Sequence, residues 1–326
     1  MKLNDIEELI TPLLDNYRRA YYSLSASDIP IIDEINRHVR SKDGKQLRPV
    51  LALLTACCCG LPTDIDASHP LFKIAAAIET LHNSTLIHDD VIDESTLRRG
   101  IPTVNHLWGN KTAVLAGDYY LAQVMLAVNE VNRHTVTQTI NQAVADMSIG
   151  ELLQQQVCGK YDIEEKTYFD IIHRKTAVFM AASCNIGAIF ATDDTSLHAA
   201  ARQYGENIGM AFQIRDDLID FLPSQRTGKP QGNDLREHKA TLPLIMTLKQ
   251  CNVNTKNEII ALLEKERLSD DDIATLTETI TNGEGFKASQ EIMNHYLEKA
   301  SMAATLLPDN RFRKGLTDIL TILNKF

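Results

Sequence analysis

Asp89-Asp90-Val91-Ile92-Asp93 and Asp216-Asp217-Leu218-Ile219-Asp220 are two copies of one acidic word, each set in apolar, helix-forming sequence. Asp is a poor helix former and is seldom buried without a partner, so each cluster calls for counter-charge. A divalent cation carrying a polyphosphate would supply it. Magnesium is a hard cation that takes a few carboxylates, several waters and phosphate oxygens, and two clusters of this kind offer that donor set. A single acidic cluster on a helix is ordinarily a solvated face. The repeat, with its matching spacing and apolar flanks, favours a paired site.

Basic residues stand close to both words. Arg98-Arg99-Gly100 follows the first within two turns, and Gly44-Lys45-Gln46-Leu47-Arg48-Pro49 precedes an apolar helix at a loop-to-helix junction. Guanidinium forks and an ammonium are what a diphosphate requires beyond the metal charge. After the second word, Gly228-Lys229-Pro230 and Gly232-Asn233-Asp234-Leu235-Arg236-Glu237-His238-Lys239 form a polar loop in the place expected for a lid that excludes water. Lys175-Thr176 opens another long apolar helix.

The elements that must position these groups are helices. From Leu71 to Asp93, a turn of about 100° per residue puts Leu71, Ile74, Ala75, Ile78, His82, Thr85, Asp89 and Asp93 on one stripe. The stripe is apolar below and carboxylate at its top, which suits a substrate with a charged head and a hydrocarbon tail. A second helix, roughly Ala201 to Phe221, puts Gln213, Asp216, Asp217 and Asp220 on one face.

Composition sets the outer limits. The 326 residues hold no linker, low-complexity tract or internal repeat, so residues 1–326 are expected to form a single domain. The formal net charge of −10 argues against nucleic acid as a partner. Six cysteines, with Cys57-Cys58-Cys59 in an apolar run, lack metal or redox spacing and are expected as buried thiols in a reducing cytoplasm. The N-terminus lacks the pattern of a secretory signal, and Thr176 to Thr192 contains Ser183, Asn185 and Gly187, which suits a buried helix better than a membrane span. A cytoplasmic protein without a transmembrane segment is expected.

Glu79 to Asp93 with Arg98-Arg99 resembles the first aspartate-rich motif of the trans-prenyltransferases, the polyprenyl diphosphate synthase family, and Phe212 to Asp220 resembles the second. The resemblance runs from about Gly44 to Pro243 and includes Gly117-Asp118, Gly150-Glu151 with Gln154, Lys175-Thr176, and Asp234 to Glu237 with Lys239 and Thr241 to Pro243. It implies an all-α fold, a single large helical bundle around a deep central cavity. The implied assembly is a homodimer that joins isopentenyl diphosphate to an allylic diphosphate, with a peripheral membrane contact left open for product release. Carried over by position, Asp89 and Asp93 hold two Mg²⁺ ions, and Asp216 with Asp220 holds a third. Lys45, Arg48, His82 and Arg99 bind isopentenyl diphosphate, while Arg98, Lys175, Thr176, Gln213, Lys229 and Lys239 contact the allylic diphosphate or the reaction centre.

Asp43 and Gln46 stand where the family often has Gly and Arg, but Lys45 and Arg48 are kept. A class I terpene cyclase would share the fold but not the second Asp motif or the isopentenyl pocket. A silent partner subunit would be expected to have lost one acidic cluster. Short-product relatives commonly place bulky aromatics four or five residues before the first Asp. Here these positions are Thr85 and Ser84, so the tail is expected to pass towards Ile78 and Ile74, with a floor from Met125 or Leu126. The expected product is longer than four isoprene units, with geranylgeranyl or farnesyl diphosphate as the alternative.

Overall fold

Pro12, Pro30, Pro70 and Pro243 each sit in the first turn of a helix, where the missing N–H costs nothing and the fixed φ suits the helical start. Side-chain caps also close helix starts. His69 accepts from the Leu71 amide and Thr103 from the His106 amide. Ser269 forms a capping box with Asp272.

The computed structural model describes residues 3–42, 44–223, 231–265 and 267–325. After α1 (Leu3–Glu7) and a 3₁₀ turn come α2 (Thr11–Leu24), α3 (Pro30–Arg40), α4 (Leu47–Cys58) and α5 (Pro70–Ile92). A two-stranded hairpin, β1 (Leu97–Arg98) and β2 (Ile101–Pro102), leads into α6 (Val104–Trp108), α7 (Asn110–Val131) and α8 (His134–Val157). Next are α9 (Glu165–Ile172), a π-helical turn (His173–Ala177), α10 (Val178–Ala191) and α11 (Thr195–Asp220). The remainder is α12 (Asn233–Arg236), α13 (Leu242–Gln250), α14 (Val253–Leu263), α15 (Asp270–Thr281), α16 (Glu284–Thr305) and α17 (Arg311–Leu323). The helical class expected from the sequence is what forms. The hairpin was not expected, and it exists because Arg99 and Gly100 both adopt positive φ, 54° and 78°, the geometry of a two-residue type I′ turn.

The chain divides into two compact units, each assembled from three segments. One holds the residues up to Asn141 with Ser183–Arg202 and Thr305–Asp318, and the other holds Gln142–Ala182, Gln203–Ala304 and the residues from Ile319.

In the first unit α5 is the core helix, packed against α2, α4 and α7. Leu71, Ile74, Ala75 and Ile78 have no accessible surface. Each buried Leu or Ile contributes about 1.5–3 kcal/mol relative to exposure. Two polar side chains within this core are matched: Asn83 Nδ2 donates to the Tyr21 hydroxyl at 2.7 Å, and Ser84 Oγ donates to the Gly117 carbonyl at 2.8 Å. Gly117 is small because the His88 ring lies where its Cβ would be. In the second unit α13 is buried from Leu242 to Leu248, and Gly285 of α16 lies against the Thr247 backbone.

The cysteines only partly match the expectation. Cys57, Cys58, Cys59 and Cys184 are buried, but Cys158 is exposed and Cys251 is partly exposed. Both of the latter lie at helix ends, where the apolar pattern has already stopped. Burial pushes the Cys57, Cys58 and Cys184 thiols up to about 12 and Cys59 to about 11. A thiolate-directed reagent is therefore expected to label Cys158 and then Cys251 in the native chain, and the rest only in denaturant. Rapid native labelling of Cys57 to Cys59, read by peptide mass mapping, would contradict this.

Met125 and Leu126 are 61% and 62% exposed in this chain, on the outer face of α7. A floor made by either is corrected: at this position the helix turns both away from the chain's own core. Among the described residues no helix is long and apolar enough to cross a membrane.

Candidate active site

In the first unit, the acidic word closes α5. Asp89 lies in the last turn and Asp93 is the C-cap, its N–H donating to the Asp89 carbonyl at 2.8 Å. The C-terminus of a helix carries partial negative charge, so carboxylates there are disfavoured unless a cation is near, and this last turn has no basic residue. Asp90 plays a different part. It is 4% exposed and accepts from Arg98 Nε at 2.8 Å, while Asn105 Nδ2 donates to its carbonyl at 3.1 Å. Burial raises its pKa, against the opposing pull of Arg98. The pair ties the hairpin to the helix end.

The hairpin turn then presents Arg99. Its Nη1 donates to the Lys42 carbonyl at 3.0 Å, and its guanidinium occupies the space above Gly44 that a Cβ would fill. Gln46, the N-cap of α4, is also left-handed, with φ 45°. Non-Gly residues in this region store strain of order 1 kcal/mol or more. Lys45 is exposed beside Gln46, and Arg48 stands in the first turn of α4, where the helix end is positive. The expected isopentenyl group therefore converges in part: burial first, then Arg48, Arg99 and Arg98, push the His82 pKa well below its ordinary value. His82 is a neutral imidazole among three arginines. One turn on, the Thr85 hydroxyl donates to the His82 carbonyl at 2.8 Å and so leaves its methyl towards the stripe. Ser84 is 2% exposed and held by Gly117, off the stripe.

The depressed His82 pKa has a signed consequence. An unfolded His82 takes up a proton near the ordinary value of 6.5 and the folded one does not, so folding loses stability as pH falls below about 6.5. His82→Gln is expected to flatten that part of the melting-temperature profile between pH 7 and pH 5. An unchanged acid slope in the variant would refute the assignment.

In the second unit, the second word again ends its helix. Asp216, Asp217 and Asp220 close α11, also without a basic residue in the last turn. Asp216 and Asp220 are half-buried, whereas Asp217 is 3% exposed. Asp217 accepts from Tyr168 Oη at 2.6 Å and from Gln213 Nε2 at 2.9 Å. Burial, helped by Asp216 and Asp220 and opposed by those two hydrogen bonds, pushes its pKa up to about 7. Asp220 accepts the Asn233 and Asp234 amides at 3.1 Å each, so it fixes the start of α12. Asp234 joins the cluster, its pKa raised by burial and then by Asp220 and Asp217.

Only part of the expected lid is described. Gly228, Lys229 and Pro230 lie outside the described residues, as does Asp43. The described part is anchored: the His238 carbonyl accepts the Gly159 amide at 3.0 Å, the Tyr161 hydroxyl meets His238 Nδ1 at 2.8 Å, and Lys239 Nζ pairs with Glu237 at 2.6 Å.

Lys175 and Thr176 lie in the π-helical turn before α10, an irregularity of the kind that re-aims side chains at functional sites. The turn passes so close to α8 that a Cβ on Gly150 would stand 2.8 Å from the Lys175 nitrogen. Lys175 Nζ reaches Glu151 at 2.6 Å and Gln154 at 3.4 Å, and Thr176 Oγ1 donates to Gln213 Oε1 at 2.7 Å. Sequence reasoning missed Tyr168 and gave Asp234 no role. Nothing in the sequence around Tyr168 separates it from an ordinary core aromatic.

Among the described residues, no three His, Cys, Asp or Glu side chains form a ready metal cage. Asp89 and Asp93 at the end of α5, and Asp216 and Asp220 at the end of α11, are partly buried carboxylates of the type that suits a hard divalent ion bringing water and phosphate oxygens with it.

The family model for polyprenyl synthetase matches residues 29–280. The chain is 33% identical to heptaprenyl diphosphate synthase component 2 of Bacillus subtilis, over 100% of this chain and 91% of the relative. Its structure is similar to polyprenyl synthase from Caulobacter crescentus complexed with calcium and isoprenyl diphosphate, with a TM-score of 0.91, 30% identity and coverage of 99% and 98% of the two chains. It is also similar to a geranylgeranyl pyrophosphate synthetase from Pyrococcus horikoshii, with a TM-score of 0.88, 26% identity and the same coverage.

Proposed function

The chain belongs to the polyprenyl synthetase family, and from that premise we propose that it condenses isopentenyl diphosphate head to tail with an allylic diphosphate to give a long-chain all-trans-polyprenyl diphosphate. The observation that carries the reading is the placement of both acidic words at helix C-termini whose last turns hold no basic residue, where a bound cation is favoured.

In this reading Asp89 and Asp93 would hold two Mg²⁺ ions and Asp216, with Asp220, a third; bound, these ions would neutralise the charge developing on the diphosphate leaving group. Lys45, Arg48, His82 and Arg99 hold isopentenyl diphosphate, His82 as a neutral donor among guanidinium groups. Arg98, Lys175, Thr176, Gln213 and Lys239 contact the allylic diphosphate, and Lys229 joins them. The residues bind and orient two anions so that the double bond of one faces the allylic carbon of the other. The C–O bond breaks, the double bond attacks the allylic cation, and a proton leaves to the released diphosphate. Water would trap the cation, so the site must exclude it.

The long-chain product is supported by the small Thr85 on the α5 stripe and by the heptaprenyl relative, which is more similar in sequence than the geranylgeranyl one. The assembly is a homodimer, supported by the exposed apolar side chains Leu115, Met125 and Leu126 of α7, at 68%, 61% and 62%. The reaction is set in the cytoplasm, supported by the six free thiols.

The test is to incubate the purified chain with Mg²⁺, labelled isopentenyl diphosphate and several allylic primers, and to size the dephosphorylated products. Products beyond four isoprene units are expected, and a chelator should abolish them. Products ending at geranylgeraniol would replace the long-chain reading with the shorter one. No condensation by the chain alone, with activity restored only by a second component, would replace the homodimer.

A further inference from the structure

Gln213 carries an amide whose two ends are nearly the same shape, so something must decide which end faces which neighbour. Thr176 Oγ1, 2.7 Å from Gln213 Oε1, does not decide it, because a hydroxyl can donate or accept. Asp217 does: in its ionised form the carboxylate only accepts and therefore draws Nε2 to it at 2.9 Å. Asp217 needs an anchor of its own, and the Tyr168 hydroxyl supplies it from the opposite oxygen at 2.6 Å. Tyr168 and Asp217 are each 3% exposed and Thr176 is 5% exposed, so water does not compete for these bonds. The result is a line of four side chains, Tyr168, Asp217, Gln213 and Thr176, that runs from α9 through the end of α11 to the π-helical turn beside Lys175.

We propose that Tyr168 and Asp217 are a positioning pair that sets the orientation of the Gln213 amide, so that one Nε2 hydrogen remains for an oxygen of the allylic diphosphate. The proposal rests on the reading of Gln213 as a contact of that substrate. It also gives the middle aspartate of the second word a task different from its neighbours. Both oxygens of Asp217 accept hydrogen bonds and its side chain is closed off, while the half-buried Asp216 and Asp220 stay on the side of the metal. Tyr168 acts through Asp217 and Gln213 and touches no substrate.

The experiment is a double-mutant cycle on the full chain, with Tyr168→Phe, Gln213→Ala and both together. Steady-state constants are measured for the allylic primer and for isopentenyl diphosphate, with a melting curve for each variant. Tyr168→Phe is expected to lower kcat/KM for the primer by about 10-fold, through KM, and to leave KM for isopentenyl diphosphate unchanged. In the Gln213→Ala background the same change is expected to cost less than about twofold. Asp217→Asn, which keeps the shape but can donate to Gln213, should match Tyr168→Phe and serves if that variant melts early. Equal losses from Tyr168→Phe in both backgrounds would overturn the positioning pair and leave Gln213 as a contact. A Gln213→Ala enzyme with normal primer KM would overturn the Gln213 reading, and the pair with it.

Discussion

Asp216→Ala is expected to lower kcat/KM for prenyl transfer by on the order of 10³-fold while the metal-free chain melts no lower, and even somewhat higher, than the parent. The two halves of this outcome have one cause. Asp216 lies in the last turn of α11 with no basic residue in that turn, and it raises the pKa of buried Asp217 by like charge. Removing it relieves a dipole term of about 0.3–1 kcal/mol and part of that repulsion, set against the lost attraction for its half-buried neighbour Arg215. On the proposed reading, the same deletion also takes away an oxygen donor from the bound cation that would stabilise the leaving group. Asp89→Ala is expected to match it in activity. Asp90→Ala should behave in the opposite way, because it deletes the 2.8 Å partner of Arg98 and loosens the hairpin, so its melting point falls. Label incorporation and melting curves with and without Mg²⁺ test the set. A lowered melting point with activity intact in Asp216→Ala would return that carboxylate to a structural role.

What could be read from the sequence was what depends on local periodicity. The α5 stripe was expected over Leu71 to Asp93 and forms over Pro70–Ile92, because its core residues recur at helical spacing and His69-Pro70 marks the start. The second helix was expected from about Ala201 and begins at Thr195, since Thr195 to Ala200 is too polar to register as core. Tertiary partnerships were not legible. Lys175-Thr176 was read as a helix start, but the turn is π-helical, and its close passage of Gly150 depends on a helix some 25 residues earlier. Arg98 was read as a substrate contact from its place beside the acidic word and from the family resemblance, and only the folded hairpin shows its Nε on Asp90. The segment after Asp220 looked like a lid because it is polar and holds glycine. The Asp220 carboxylate caps its described part instead, an interaction of backbone amides that composition does not reveal.

Thr85→Phe is the second large effect, and it acts on product length while sparing the first condensation. Thr85 donates its hydroxyl to the His82 carbonyl, so the group it offers the stripe between Asp89 and Ile78 is a methyl. Ile78 and Ile74 have no accessible surface, so a tail that follows α5 past Thr85 has to part those side chains and recover the cost by burying its own methylenes. A phenyl ring at this level adds an overpacking cost of about 1–3 kcal/mol to every such passage, a bias of roughly 5- to 150-fold towards release over another round. On the proposed reading the first addition of isopentenyl diphosphate takes place nearer the carboxylates, and it is expected to stay within about threefold of the parent. Thin-layer or mass analysis of the dephosphorylated alcohols, with Thr85→Ala as the control that should not shorten them, gives the comparison. An unchanged length distribution from Thr85→Phe would mean that the tail leaves the α5 stripe above Thr85, and the residues that stop it would then lie on another helix.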